Sequence, residues 1–179
     1  SIESPFTAVI AGSKISTKLE LIAHLNSKAD FIIVGGGIAN TFLKSQGFNV
    51  GESLVENDMI EIAEELFNSS KIILPNKVIV ADSIDSNYPT IKNIDSVSSS
   101  DKIFDINLSS NMSEILKSSK TILWNGPIGV FEKEPFQKGT HQLATTIARS
   151  KAFSLAGGGE TIAAINKFIN KDEVSYCST

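Results

Sequence analysis

Apolar runs of four or five residues stop at glycine-bearing turns four times in this chain. They are TAVIA before Gly12, FIIV before Gly35, TILW before Asn125-Gly126, and Ala152–Ala156 before Gly157. Runs of this length, closed by glycine, read as buried strands rather than helices. Residues at helical spacing come next: Ile15, Leu19, Ile22 and Ala23 after the first turn, and Ile38, Phe42 and Leu43 after the second. Leu143, Ala144, Ile147 and Ala148 follow the third, and Ile162, Ala163, Ile165 and Phe168 the fourth. Strands alternating with helices build a parallel sheet covered on both faces, joined by right-handed crossovers. The expected fold is α/β, three layers, with a mostly parallel sheet of about six strands.

Further elements fill the pattern. Met59, Ile62, Ala63 and Leu66 mark a helix over 58–67, and Met112, Ile115 and Leu116 another over 110–118. Thr140 is placed to cap the helix before the fourth strand. Ile72–Leu74 begins a strand that Pro75 stops, so Lys77–Ala81 is the better third strand of the sheet. Lys102–Ile106 and Val174–Cys177 read as further strands. Between Lys77–Ala81 and Lys102–Ile106, the stretch 82–102 is rich in Ser, Asp and Asn and reads as a surface excursion or loose hairpin. Ligands of parallel sheets gather beyond the carboxyl ends of the strands. Those ends are Gly12, Gly35, Asp82, Asn125, Gly157 and Ser178, so that edge is the expected site.

Composition narrows the function. The 179 residues carry 16 basic and 20 acidic side chains, a net charge of −4, which argues against a nucleic-acid footprint. No apolar run approaches a membrane span, so no membrane partner is expected. One cysteine, Cys177, allows neither an internal disulfide nor a zinc cluster and fits a reducing cytoplasm. It reads as a small core residue of the last strand. His24 and His141 read as structural or surface residues, and no catalytic triad can be assembled.

The edge carries groups suited to a nucleotide. Gly157, Gly158 and Gly159 lead into a helix start, where free amides and the positive dipole end attract an oxyanion; a tight turn without a ligand is the alternative. Lys14 and Lys18, one turn apart at a helix start, oppose the dipole and call for an anionic partner, unless both are simply solvated. The glycines at 12 and 35 leave a flat slot for a planar base, with Pro127 and Val130 as its opposite wall. Glu132 can accept hydrogen bonds from ribose hydroxyls. Glu160 either holds a magnesium ion or stabilises the helix start. There is no GxxxxGK[ST] and no GxGxxG, which removes the P-loop and dinucleotide readings, including a nicotinamide-dependent oxidoreductase.

With AGSKISTK at 11–18, GGGIANTFL at 35–43, WNGPIGVFE at 124–132 and AGGGET at 156–161, in that order, the whole chain closely resembles the carboxyl-terminal half of phosphoglycerate kinase. The resemblance implies a Rossmann-like nucleotide-binding domain. It implies an enzyme that transfers phosphoryl between 1,3-bisphosphoglycerate and ADP in glycolysis, with magnesium, in the cytoplasm and as a monomer. Lys14 then meets the transferring phosphoryl and Lys18 the nucleotide phosphates. Gly12, Ser13, Gly35 and Gly36 form the adenine slot, facing Pro127 and Val130. Asn125 stands near the phosphates, Glu132 binds the ribose, and Gly158, Gly159, Glu160 and Thr161 form the phosphate-binding helix start. Lys14 and Gly159 carry the catalytic work, and Glu160 the metal.

Two departures accompany the resemblance. The family usually has aspartate where this chain has Glu160, whose extra methylene carries the carboxylate about a bond length farther out. The amino-terminal half with its phosphoglycerate site, and a glycine-rich loop after Cys177, Ser178 and Thr179, are absent from the 179 residues. The expectation is one domain, 1–179, cut from a longer chain, that binds ADP or ATP without turnover. A stand-alone nucleotide-binding or interaction module on the same half-fold is the alternative.

Overall fold

The computed structural model describes residues 2–178; Ser1 and Thr179 lie outside the described residues. Six strands form the main sheet: β1 (Phe6–Ala11), β2 (Phe31–Gly35), β3 (Ile72–Ile73), β7 (Thr121–Asn125), β8 (Phe153–Gly157) and β9 (Tyr176–Ser178). Their order is β3-β2-β1-β7-β8-β9, and every pairing is parallel. The central strand β1 is buried along its whole length. Its alternate side chains feed two cores, as the two-residue period requires. Phe6, Ala8 and Ile10 join one core, Val9 and Ala11 the other.

Helices close both faces. Helix α1 (Leu19–Asn26) and α3 (Ile60–Ser69) pack with the Phe6 core, while α4 (Ser110–Ser118), α5 (Lys138–Arg149) and α6 (Gly159–Phe168) pack with the Val9 core. Helix α2 (Gly36–Ser45) contributes to both, with Phe42 in the first and Leu43 in the second. The three-layer expectation holds, with the sheet wholly parallel.

The strands at 77–81 and 102–106 are not in that sheet. β4 (Lys77–Ala81) pairs antiparallel with both β5 (Thr90–Asn93) and β6 (Lys102–Ile106) in a separate three-stranded sheet. The short β3 takes the edge place instead, and Pro75 and Asn76 turn the chain away after it. Asp82 is therefore not at the carboxyl edge of the main sheet. The excursion at 82–102 is the return that makes the antiparallel pairing possible, and it is ordered by its own bonds. Lys92 Nζ lies 2.6 Å from Asp101 Oδ2, and the same oxygen accepts from the Ser98 amide at 2.8 Å.

Three local expectations also change. Helix α1 starts at Leu19, so Lys14 lies before it, just ahead of the turn at 16–18. Ala23 and Ala163 face solvent; Leu25 and Ala164 take the buried positions. Thr140 does not cap α5 but is buried inside it. His141 stacks on Phe168 with ring centroids 4.7 Å apart, a structural contact. Cys177 is a half-buried residue of β9.

One N-cap is formed as local chemistry directs. The Ser109 hydroxyl accepts from the Met112 amide at 3.1 Å, at a buried helix start. Replacing it with alanine leaves that amide without its partner. Ser109→Ala is expected to lower the unfolding free energy by about 1 kcal/mol, read as a lower urea midpoint at unchanged slope.

Candidate functional site

The carboxyl ends of β2, β1 and β7 meet so closely that backbone occupies the space of side chains. A Cβ on Gly37 would collide with the Ser13 carbonyl, and one on Gly126 with the Ala11 carbonyl. Gly126 also has φ +103°, a conformation that favours glycine. Its amide donates to Thr161 Oγ1 at 2.7 Å, which ties the start of α6 to the end of β7.

Beside this junction lies a cleft of about 320 Å³. Gly12, Ser13, Gly36 and Gly37 form one side. Pro127, Ile128, Gly129 and Val130 form the other, with Phe104 of β6; Leu54 and Ile84 add exposed apolar surface. The antiparallel sheet thus supplies a wall that strand counting did not foresee. Glu132 and Glu160, both exposed, line the cleft too.

Several expected site residues converge here: Gly12, Ser13, Gly36, Pro127, Val130, Glu132 and Glu160. Gly35 does not line the cleft. It is buried behind it, where a Cβ would lie 2.8 Å from Ile128 Cα, so the slot is made by Gly36 and Gly37. Lys18 is half-buried and does not line the cleft; its Nζ donates to the Ala11 carbonyl, beside Gly12 and Gly126. Burial pulls its ammonium below the usual lysine range, and the charge of Glu160 opposes that shift. Asn125, at the end of β7, donates from Nδ2 to the Gly157 carbonyl at 3.5 Å.

The helix start at α6 is partly committed. Gly158, with φ +99°, gives its amide to the Ser178 carbonyl at 3.2 Å. The donors left without intrahelical partners are those of Gly159, Glu160 and Thr161. Lys14 is exposed and stands outside the cleft, in a neighbouring hollow of about 270 Å³ with Ser13, Glu56 and Asp58. Glu56 fastens this turn: its Oε1 accepts from the Ser16 amide at 3.0 Å and its Oε2 from the Ser16 hydroxyl. Burial would raise the Glu56 carboxyl, but these bonds, one from the Ile15 amide and the Lys14 charge outweigh it and hold it below the ordinary range.

Among the described residues no three His, Cys, Asp or Glu side chains cluster as a metal cage. The lone carboxylate of Glu160 at a free helix start fits a magnesium ion carried mainly by ligand phosphates, since that ion is commonly bound through one or two carboxylates.

A family match decides the relationship. The model of the phosphoglycerate kinase family covers residues 1–179. The chain belongs to the phosphoglycerate kinase family. It is 46% identical over 185 aligned positions to a phosphoglycerate kinase of Coxiella burnetii, covering 99% of this chain and 47% of the relative. It is 50% identical over 177 positions to one of Baumannia cicadellinicola, covering 98% and 46%. The solved structure of the Coxiella burnetii phosphoglycerate kinase superposes with a TM-score of 0.94, over 100% of this chain and 49% of that one. A phosphoglycerate kinase of Pyrococcus horikoshii, 29% identical, gives 0.83 over 99% and 47%. The chain spans about half the length of the curated relatives it matches.

Asp105 of β6 was missed by motif reasoning. It is 1% exposed and lines the cleft. Oδ2 accepts from the Gly139 amide at 2.8 Å, near the start of α5. Oδ1 has no partner, and its carboxyl packs against Gly129 and Gly139, where a Cβ on either would collide with it. The neighbouring Phe104 carbonyl accepts from the Val130 amide at 2.8 Å. Together these bonds fix the loop that carries Pro127, Val130 and Glu132. The available signal was one acid on the buried face of KIFDI, in step with Ile103.

Burial pushes the Asp105 carboxyl up to about 7, against the pull of the Gly139 and Ile106 amides. Its unperturbed value is 3.8, so between the two values the folded state binds the extra proton. That contribution to stability is full below the unperturbed value and is lost as pH rises through about 7. Asp105→Asn should remove the slope. The stability of the native chain relative to the variant is expected to fall by on the order of a few kcal/mol from pH 4 to pH 8, measured by urea denaturation across that range.

Proposed function

We propose that this chain is the carboxyl-terminal, nucleotide-binding domain of a phosphoglycerate kinase, which transfers phosphoryl between 1,3-bisphosphoglycerate and ADP to give 3-phosphoglycerate and ATP. The observation that carries the reading is the continuity of one cleft. It runs from an apolar slot between Gly36–Gly37 and Pro127–Val130 to the α6 start at Glu160. A base, a ribose and phosphates need those surroundings in that order.

In this reading the base lies on backbone at Gly12, Ser13, Gly36 and Gly37. Glu132 accepts from the ribose hydroxyls. The amides of Gly159 and Thr161, with Asn125 and Lys18, hold the phosphates. Gly35 acts from behind, by letting the Ile128 loop approach. Lys14, exposed beside the cleft next to its Glu56-fastened turn, is assigned the flexible point charge that follows the transferring phosphoryl, to which Gly159 donates. A magnesium ion, held by Glu160 and the phosphates, supplies charge neutralisation when bound. Phosphoryl transfer depends on positioning and electrostatic stabilisation, so the half-site alone binds and does not turn over. The second wall of the cleft, with the phosphoglycerate, belongs to the other half of the enzyme. A monomeric cytoplasmic protein suits this role, and a single half-buried thiol suits a reducing compartment.

Calorimetric titration of this chain with ADP and magnesium is expected to show one site, and a coupled assay with phosphoglycerate no turnover. Glu132→Ala should weaken ADP and AMP alike, by about 1–3 kcal/mol, because both carry the ribose. Loss confined to the diphosphate would contradict the ribose assignment.

A further inference from the structure

A second polar side chain in the wall of the cleft, besides Asp105, has unfinished hydrogen bonding. Asn40, on α2, is 3% exposed and lines the cleft near Gly36, Gly37 and Leu54. Its Nδ2 donates to the Leu54 carbonyl at 3.1 Å. That bond fixes the amide's orientation, because the reverse orientation would set two acceptors against each other. Oδ1 is then left buried with no donor.

The neighbours do not answer it. Thr41 Oγ1 donates to the Gly37 carbonyl at 2.8 Å and accepts from the Glu56 amide at 3.1 Å. Leu54, which anchors the other end of the amide, is itself exposed on the cleft. A buried acceptor without a donor is destabilising. A leucine in this largely apolar helix face would avoid that, so the acceptor suggests a donor that arrives with a ligand.

We propose that Asn40 selects the base: its Oδ1 accepts a hydrogen bond from the exocyclic amino group of a bound adenine. This rests on the reading of the cleft as a nucleotide site and adds which base it prefers and why. Adenine presents an N–H donor at C6. Hypoxanthine presents a carbonyl oxygen there, which would face Oδ1 acceptor to acceptor. Unsubstituted purine presents neither, so it gains no bond and suffers no clash. A site built to meet a donor rejects the analogue that lacks it, because its own polar group stays unpaired.

The test is calorimetric titration of the native chain and of Asn40→Leu with ADP, IDP and purine riboside diphosphate, each with magnesium. The native chain is expected to bind ADP about tenfold or more tighter than IDP, the unsubstituted purine falling between. Asn40→Leu should bring the three affinities close together. The native series needs no variant, so the proposal can fail even where the substitution disturbs folding. Equal affinities in the native chain would overturn it and leave the nucleotide site standing. A preference for ADP that survives Asn40→Leu would also overturn it, placing selection elsewhere. Binding of none of the three would overturn both this proposal and the nucleotide reading beneath it.

Discussion

Backbone-to-backbone contact at the ends of β1, β2 and β7 is the constraint on which the site depends. Three parallel strands deliver their carboxyl ends to one edge, and the turns that follow pack carbonyl against Cα. A side chain at Gly37 or Gly126 would force the Ser13 or Ala11 carbonyl aside. These glycines therefore answer first to packing. The cleft is a consequence of that packing: once side chains are removed from one edge, a flat polar surface of peptide groups is exposed beside apolar residues.

The other components are positioned by longer-range bonds. Thr161 Oγ1 receives the Gly126 amide, so α6 cannot shift without moving the loop that carries Pro127. Asp105 grips the start of α5 through Gly139, and Phe104 holds Val130 in place. Lys18 is drawn to the Ala11 carbonyl, so its charge lies at the carboxyl end of β1. Each tie links an element of one layer to the turn of another. The antiparallel sheet matters for the same reason: it brings Phe104 and Asp105 against the loop that completes the cleft.

Much of this was legible in the chain. Four apolar runs ending in glycine-bearing turns specify a parallel sheet with a site at one edge, and Glu132, Pro127, Val130 and Glu160 all line the cleft found there. The pairing of Lys77–Ala81 was not legible, because its continuous buried apolar run reads like a parallel strand although it pairs antiparallel. The role of Gly35 was hidden too, since a glycine that faces a ligand and one that faces Ile128 look alike in sequence. Lys14 and Lys18 match helical spacing, yet the helix starts only at Leu19 and the two lysines occupy different environments. Asp105 lacked a motif, and Asn40 sat unremarked inside GGGIANTFL; their importance lies in unmatched buried oxygens, which require coordinates.

The central claim is that one continuous cleft at the carboxyl edge receives the whole nucleotide. Backbone amide chemical shifts followed during titration with ADP and magnesium test it most directly. The account predicts perturbations at Gly12, Gly36–Gly37, 126–132 and 159–161 together, with the opposite edge around Phe6, Phe31 and Thr121 unmoved. Perturbations confined to a single one of those segments, or centred on the opposite edge, would contradict it.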